Sequence, residues 1–189
     1  GCKLILIACN SASSAAFELV REYVGSKAKV FNVIDPVVEY VSQNYGNQKV
    51  GLIGTKQTVN SNAYESKLKQ LNPSIELKSL ATPLLVPMIE EGFFENRISH
   101  DIIEAYLHND ELKGIEALIL GCTHYPLIKN EIKNDPRVNI LNDFNSLDSD
   151  RVSKTFDKKS ISMIFLDTIH TYEQVLEEFK LWEPYMKDD

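Results

Sequence analysis

The chain has 189 residues, 43% hydrophobic and 25% charged, which suffices for one large or two small globular domains built on an apolar core. Its formal net charge of -7 argues against a nucleic-acid binder, which would show a basic face, and leaves room for a small anionic substrate in a locally positive pocket. No apolar run approaches the ~20 residues that span a bilayer, so a membrane-spanning reading is set aside.

Residues 3–8 (KLILIA) form an apolar run and predict a strand. Small polar residues follow at once, and Ala15, Ala16, Leu19, Val20 and Tyr23 then fall at helical spacing. Val30–Ile34 predicts a second strand ending at Asp35-Pro36, with a helix after it (VVEYVSQNY). KVGLIGT (49–55) is a strand ending in Gly-Thr, and Val59–Leu71 predicts one helix. Ile75–Leu80 is a weaker strand, Ala81–Glu91 carries Thr82-Pro83 and Val86-Pro87, and His100–His108 predicts a helix. Ala117–Leu120 is the next strand, ending in GCTH, and Pro126–Lys133 starts another helix. Strands alternating with helices predict an α/β fold on a parallel sheet. Asp143–Lys159 is the most polar stretch and the expected boundary.

In open α/β sheets, ligands bind beyond the carboxyl ends of the strands. Three predicted strands end in clusters that can react or hydrogen-bond: Cys9-Asn10-Ser11, Gly54-Thr55 and Gly121-Cys122-Thr123-His124. They are expected to form one site, or two half-sites facing each other. LILIACNSAS (4–13) and ALILGCTHYP (117–126) also resemble one another: apolar strand, small residue, Cys, hydrogen-bonding residue. This suggests an internal duplication with one cysteine from each half.

The three cysteines, Cys2, Cys9 and Cys122, are too sparse for a secreted disulfide framework and suit a reducing cytoplasm. A turn from strand to helix N-terminus favours a thiolate. Two cysteines on opposite sides of a substrate can pass a proton through it: one thiolate removes the proton from Cα, and the opposing thiol returns one. Asn10, Ser11, Thr123 and backbone N–H groups could hold a carboxylate, and His124 could tune or relay a proton at Cys122. The competing reading is structural, since free Cys is among the most buried residue types. Cys2, ahead of the first strand, takes that reading. Metal binding by Cys9, Cys122 and His124 lacks a paired ligand pattern, so no metal is assigned.

The strings GCKLILIACNSAS, VGLIGTKQTVNSNAY, ATPLLVPMIEEG and LILGCTHYPLI resemble glutamate racemases of the aspartate/glutamate racemase superfamily. They stand in that order over residues 1 to about 135, and GCTHYPL favours glutamate over aspartate. The resemblance implies two pseudo-symmetric, flavodoxin-like lobes with the site between them. It implies cofactor-independent, pyridoxal-free racemisation of L- to D-glutamate by Cys9 and Cys122, with His124 assisting Cys122. It also implies substrate contacts from Asn10, Ser11, Thr55, Thr58, Glu90 and Thr123; Ser11 stands where family members usually have Thr. The implied setting is a bacterial cytoplasm, the implied product serves peptidoglycan, and a homodimer is the assembly kept open.

The family's Asp-Ser-Gly-x-Gly-Gly turn and Pro-Tyr-Gly segment lie upstream of its first cysteine, and neither occurs here. The expectation is therefore an N-terminally truncated chain with an incomplete first lobe, weakly active or inactive. Residues 1–34 would be the remnant of that lobe, with the chain returning to it at 144–189, and 35–143 the second lobe.

Residues 161–187 (ISMIFLDTIHTYEQVLEEFKLWEPYMK) resemble instead a fragment of a class I S-adenosylmethionine-dependent methyltransferase, through Asp167, His170, Thr171, Tyr172 and Glu173. The Gly-rich cofactor loop of that family is absent, so 144–189 reads as an added β-α segment rather than a methyl-transfer site. A methyltransferase fragment and a non-catalytic α/β remnant are the alternatives to the racemase.

Overall fold

A computed structural model describes residues 2–133. The expected segment at 144–189, with its strand and helix, lies outside the described residues.

Among the described residues the order is β1 (Leu4–Ile7), α1 (Asn10–Val24), β2 (Lys29–Asn32), α2 (Ile34–Asn44), β3 (Lys49–Gly54), α3 (Lys56–Asn60), α4 (Ala63–Leu71), β4 (Glu76–Ala81), α5 (Leu85–Glu90), α6 (Arg97–Leu107), β5 (Ala117–Gly121) and α7 (Lys129–Lys133). A 3-10 turn, Tyr125–Ile128, leads into α7. Every strand pair is parallel: β1 with β2 in one sheet, and β4-β3-β5 in another. The expected α/β class is the observed one.

The larger sheet is buried on both faces, which is why β3 and β5 are continuous apolar runs. Side chains alternate between faces with a period of two. From β5, Leu118 and Leu120 enter a core with Leu85, Ile89, Ile103 and Ile128, while Ala117 and Ile119 enter a second core with Ile34, Val38, Tyr64 and Leu68. The smaller sheet is different. α1 packs against it, yet Leu4, Leu6 and Phe31 remain 40%, 46% and 48% exposed.

Two of the differences from the sequence expectation have a visible local cause. Ile34 opens α2 instead of closing β2, because the Asn32 side chain accepts from the Ile34 and Asp35 N–H groups at 2.8 and 2.9 Å and so starts the helix early. Pro36 then falls in the first turn, where an N–H is not needed. The single helix expected over Val59–Leu71 is two. Asn62 sits at φ 54°, a left-handed conformation that asparagine tolerates, and it separates α3 from α4.

Candidate active site

Each strand that leads to the site hands over to a helix or turn at its carboxyl end. After β1, Cys9 is the extended N-cap residue of α1, and Asn10 and Ser11 form the first turn. Ser13 Oγ donates to Ile7 O at 2.9 Å and anchors the helix on its own strand. After β3, Thr55 is the N-cap of α3, and its Oγ1 accepts from the Thr58 N–H at 3.2 Å. After β5 comes the turn Cys122-Thr123-His124.

Two glycines allow β3 and β5 to meet at this end. In register, Gly54 lies opposite Gly121. A Cβ on Gly121 would come within 2.9 Å of Ile53 O and 2.7 Å of Leu52 Cδ1, and one on Gly54 within 3.2 Å of Gly121 O. Thr55 and Cys122 therefore leave adjacent strands side by side.

The Cys9 turn is joined to this edge by polar contacts. Ser11 Oγ lies 2.7 Å from Thr55 Oγ1 and 3.3 Å from Thr58 Oγ1, and the two threonine hydroxyls are 3.1 Å apart. Beside that cluster the Tyr64 hydroxyl donates to Asn10 Oδ1 at 2.6 Å. Asn10 and Thr58 are buried, while Cys9, Ser11 and Thr55 are half-buried.

Cys122 is buried, and its Sγ lies 3.6 Å from His124 Nδ1. On the far side of the ring, His124 Nε2 is 3.2 Å from Glu90 Oε1, a carboxylate that is itself exposed. Burial pushes the Cys122 thiol up from an ordinary 9.0 to about 11; a hydrogen bond from the His124 backbone pulls the other way, and the charges of Cys9 and Glu90 push it up further. Cys9 is thus near enough to be felt at Cys122. Cys122 holds its proton at neutral pH.

Thr123 stands half-buried between Cys122 and His124. The nine expected site residues therefore lie in the strand-end turns (Cys9, Thr55, Cys122, Thr123, His124), in the helices that follow them (Asn10 and Ser11 in α1, Thr58 in α3) or, for Glu90, at the end of α5 beside His124. Cys2 is exposed, its Sγ bonded to Leu4 O, and takes no part.

Sequence reasoning did not assign Tyr64, Thr82 or Tyr125. Thr82 Oγ1 donates to Gly54 O at 3.2 Å and pairs with the Tyr125 hydroxyl at 2.6 Å, which fixes the Cys122 turn to the end of β3. Tyr125 was within reach, being next to His124 in the motif. Thr82 and Tyr64 act across long sequence separations, and no local pattern announces that. Among the described residues no group of His, Cys, Asp and Glu could hold a metal ion, and no helix is long and apolar enough to cross a membrane.

Parallel strands whose carboxyl ends gather two cysteines, hydroxyls and an Asn define an α/β protein with a thiol-lined candidate site. The chain belongs to the Asp/Glu/Hydantoin racemase family, whose profile matches residues 1–143. It is 43% identical over 138 residues to the glutamate racemase of Sulfurihydrogenibium sp. (strain YO3AOP1), covering 72% of this chain and 52% of that relative. It is 38% identical over 186 residues to the glutamate racemase of Aquifex aeolicus, a match that covers 93% of this chain and 68% of the relative, and so runs past residue 143. Among solved structures it resembles the glutamate racemase of Francisella tularensis in complex with D-glutamate, with a TM-score of 0.67 and 41% identity over 74% of this chain and 52% of that one. The chain spans about half the length of the Sulfurihydrogenibium and Francisella relatives.

Proposed function

We propose that the chain carries the reaction centre of a glutamate racemase that works with two cysteine bases and no cofactor. The observation that carries this reading is the pair of strand-end thiols, Cys9 and Cys122, whose turns are both anchored at the carboxyl end of β3: the Cys9 turn through Ser11, Thr55 and Thr58, and the Cys122 turn through Thr82 and Tyr125. The family and the D-glutamate complex of the Francisella relative support glutamate as substrate. The Aquifex match across most of the chain favours the racemase over a methyltransferase reading of the tail.

In one direction, the Cys9 thiolate takes the proton from Cα as the C–H bond breaks. The Cys122 thiol, protonated at neutral pH, delivers its proton to the opposite face of the carbanion. Turnover leaves Cys9 as thiol and Cys122 as thiolate, ready for the reverse direction. Asn10, Ser11, Thr55, Thr58 and Thr123 hold the substrate carboxylates by hydrogen bonds. Charge-assisted bonds of that kind are the stronger class. His124, steadied by Glu90, settles the charge left on Cys122. The reading includes two pseudo-symmetric lobes, a bacterial cytoplasmic setting, supply of D-glutamate to peptidoglycan, and a homodimer as the assembly to examine.

Deuterium incorporation at Cα of L- and D-glutamate, followed by proton NMR in D2O, tests it directly. The expected result is exchange that requires both Cys9 and Cys122. Absence of exchange from a folded chain would overturn the reading of a working reaction centre and leave the chain a non-catalytic α/β member of the family.

A further inference from the structure

The hydrogen bond from Tyr64 to Asn10 has no part in the proton transfers above, yet it is among the most enclosed polar contacts near the site. Tyr64 is 1% exposed and Asn10 7%. The Tyr64 ring belongs to the core that contains Ile34, Val38, Leu68 and Ile119, so its hydroxyl has a fixed address. Tyr64 is the second residue of α4, just beyond the left-handed break at Asn62, and that break separates α3 from a new helix that packs on α2.

An asparagine amide has an acceptor end and a donor end, and the two are interchanged by a flip of the side chain. The hydroxyl of Tyr64 gives its one hydrogen to Oδ1 at 2.6 Å. With Oδ1 held on that side, Nδ2 and its two hydrogens face away from Tyr64. Burial, with a smaller push from Cys122, raises the Tyr64 phenol above its ordinary range, so it remains a donor wherever the enzyme works. A donor end is what a substrate carboxylate requires; the acceptor end would repel it.

We infer that Tyr64 is a positioning residue: by engaging Oδ1 it locks the Asn10 amide so that Nδ2 presents its hydrogens to a glutamate carboxylate at the Cys9 turn. This rests on the racemase reading for its ligand. Without the hydroxyl, Oδ1 is left buried without a partner and the amide is free to flip.

The test uses the whole chain, labelled with 15N-asparagine, and D-glutamate as probe. The Asn10 side-chain N–H pair is identified by its loss in Asn10→Ala. In Tyr64→Phe that pair is expected to move towards the position of exposed asparagines, with the backbone spectrum otherwise kept. D-glutamate affinity should fall about tenfold, the scale of one hydrogen bond to a charged group. The same Tyr64→Phe change should then have no effect on affinity in an Asn10→Ala background, because Tyr64 acts through Asn10. An unmoved Asn10 pair, or an equal loss of affinity in both backgrounds, would overturn the inference and leave Tyr64 a packing residue. If wild type binds no glutamate, the racemase reading fails, and the Asn10 pair alone decides whether Tyr64 sets the amide. Should Tyr64→Phe not fold, Asn10→Asp takes its place: it keeps an acceptor for Tyr64 and removes the donor. Binding at wild-type strength by that variant would sink the inference.

Discussion

The two cysteine turns share one pattern of residue types, an apolar strand, a small residue, Cys and a hydrogen-bonding residue, and have quite different surroundings. Cys9 follows a strand of a sheet that has two strands among the described residues, with Leu4, Leu6 and Phe31 open to solvent, and it is half-buried at the head of a 15-residue helix. Cys122 ends a strand with no exposed residue, between cores on both faces, and its thiol is pushed up to about 11. The Cys122 thiol is raised chiefly by burial, which comes from the sheet behind its turn and not from the turn itself.

The sharpest way to break this comparison is to remove one thiol at a time. Cys9→Ser and Cys122→Ser are each expected to lower any glutamate racemisation rate by at least about a thousandfold, since the proposed two-base reaction uses both in every turnover. A rate that survives either substitution, measured by circular dichroism or polarimetry, would mean that the two turns are not partners.

Packing behind the turns should differ next. Ile119→Ala, at a fully buried site in β5, is expected to cost about 2–5 kcal/mol in urea unfolding. Leu6→Ala in β1, at a site 46% exposed, should cost less than about 1 kcal/mol. Equal costs would show that the smaller sheet is as well covered as the larger.

The residue before each cysteine sharpens the point. Gly121→Ala must press a methyl group to within 2.9 Å of the Ile53 carbonyl, and about 1–3 kcal/mol of lost stability is expected. Ala8 already carries that methyl group in the other turn, and Ala8→Gly should cost only about 0.5–1 kcal/mol through backbone entropy. Thermal melts of the two variants check the contrast.

The smallest effect is on alkaline stability. The Cys122 thiol loses its proton at a lower pH in the unfolded chain than in the folded one, so folding is favoured below about pH 9 and that contribution is lost as pH rises to about 11. Tyr64 and Tyr125, also raised by burial, act with the same sign. The melting temperature of Cys122→Ser should therefore fall less steeply over this range than that of wild type. Identical slopes would argue that Cys122 is better solvated than its burial implies.

Much of this was legible in the residues. The apolar runs at KLILIA, KVGLIGT and ALIL, each followed by small polar residues, were enough to place strands, the parallel α/β class and the turns that hold Cys9, Thr55 and Cys122. A strand buried on both faces must be apolar throughout, and a period-two or helical pattern is a local property of the chain. The break at Asn62 was not legible, because asparagine is accepted both in helices and in left-handed turns, and packing of Tyr64 and Leu68 decides between them.

The sequence by itself thus determined which residue types stand at the carboxyl ends of the strands, and with them the kind of chemistry available. Only the tertiary structure decided who meets whom. It set the Ser11 hydroxyl against Thr55 and Thr58, the Tyr64 hydroxyl against Asn10, and Thr82 against Tyr125. It also made Cys122 a weaker acid than an ordinary thiol. Hydrogen-bond partners far apart in the chain, and the loss of water around a thiol, are consequences of packing, and no local pattern encodes either.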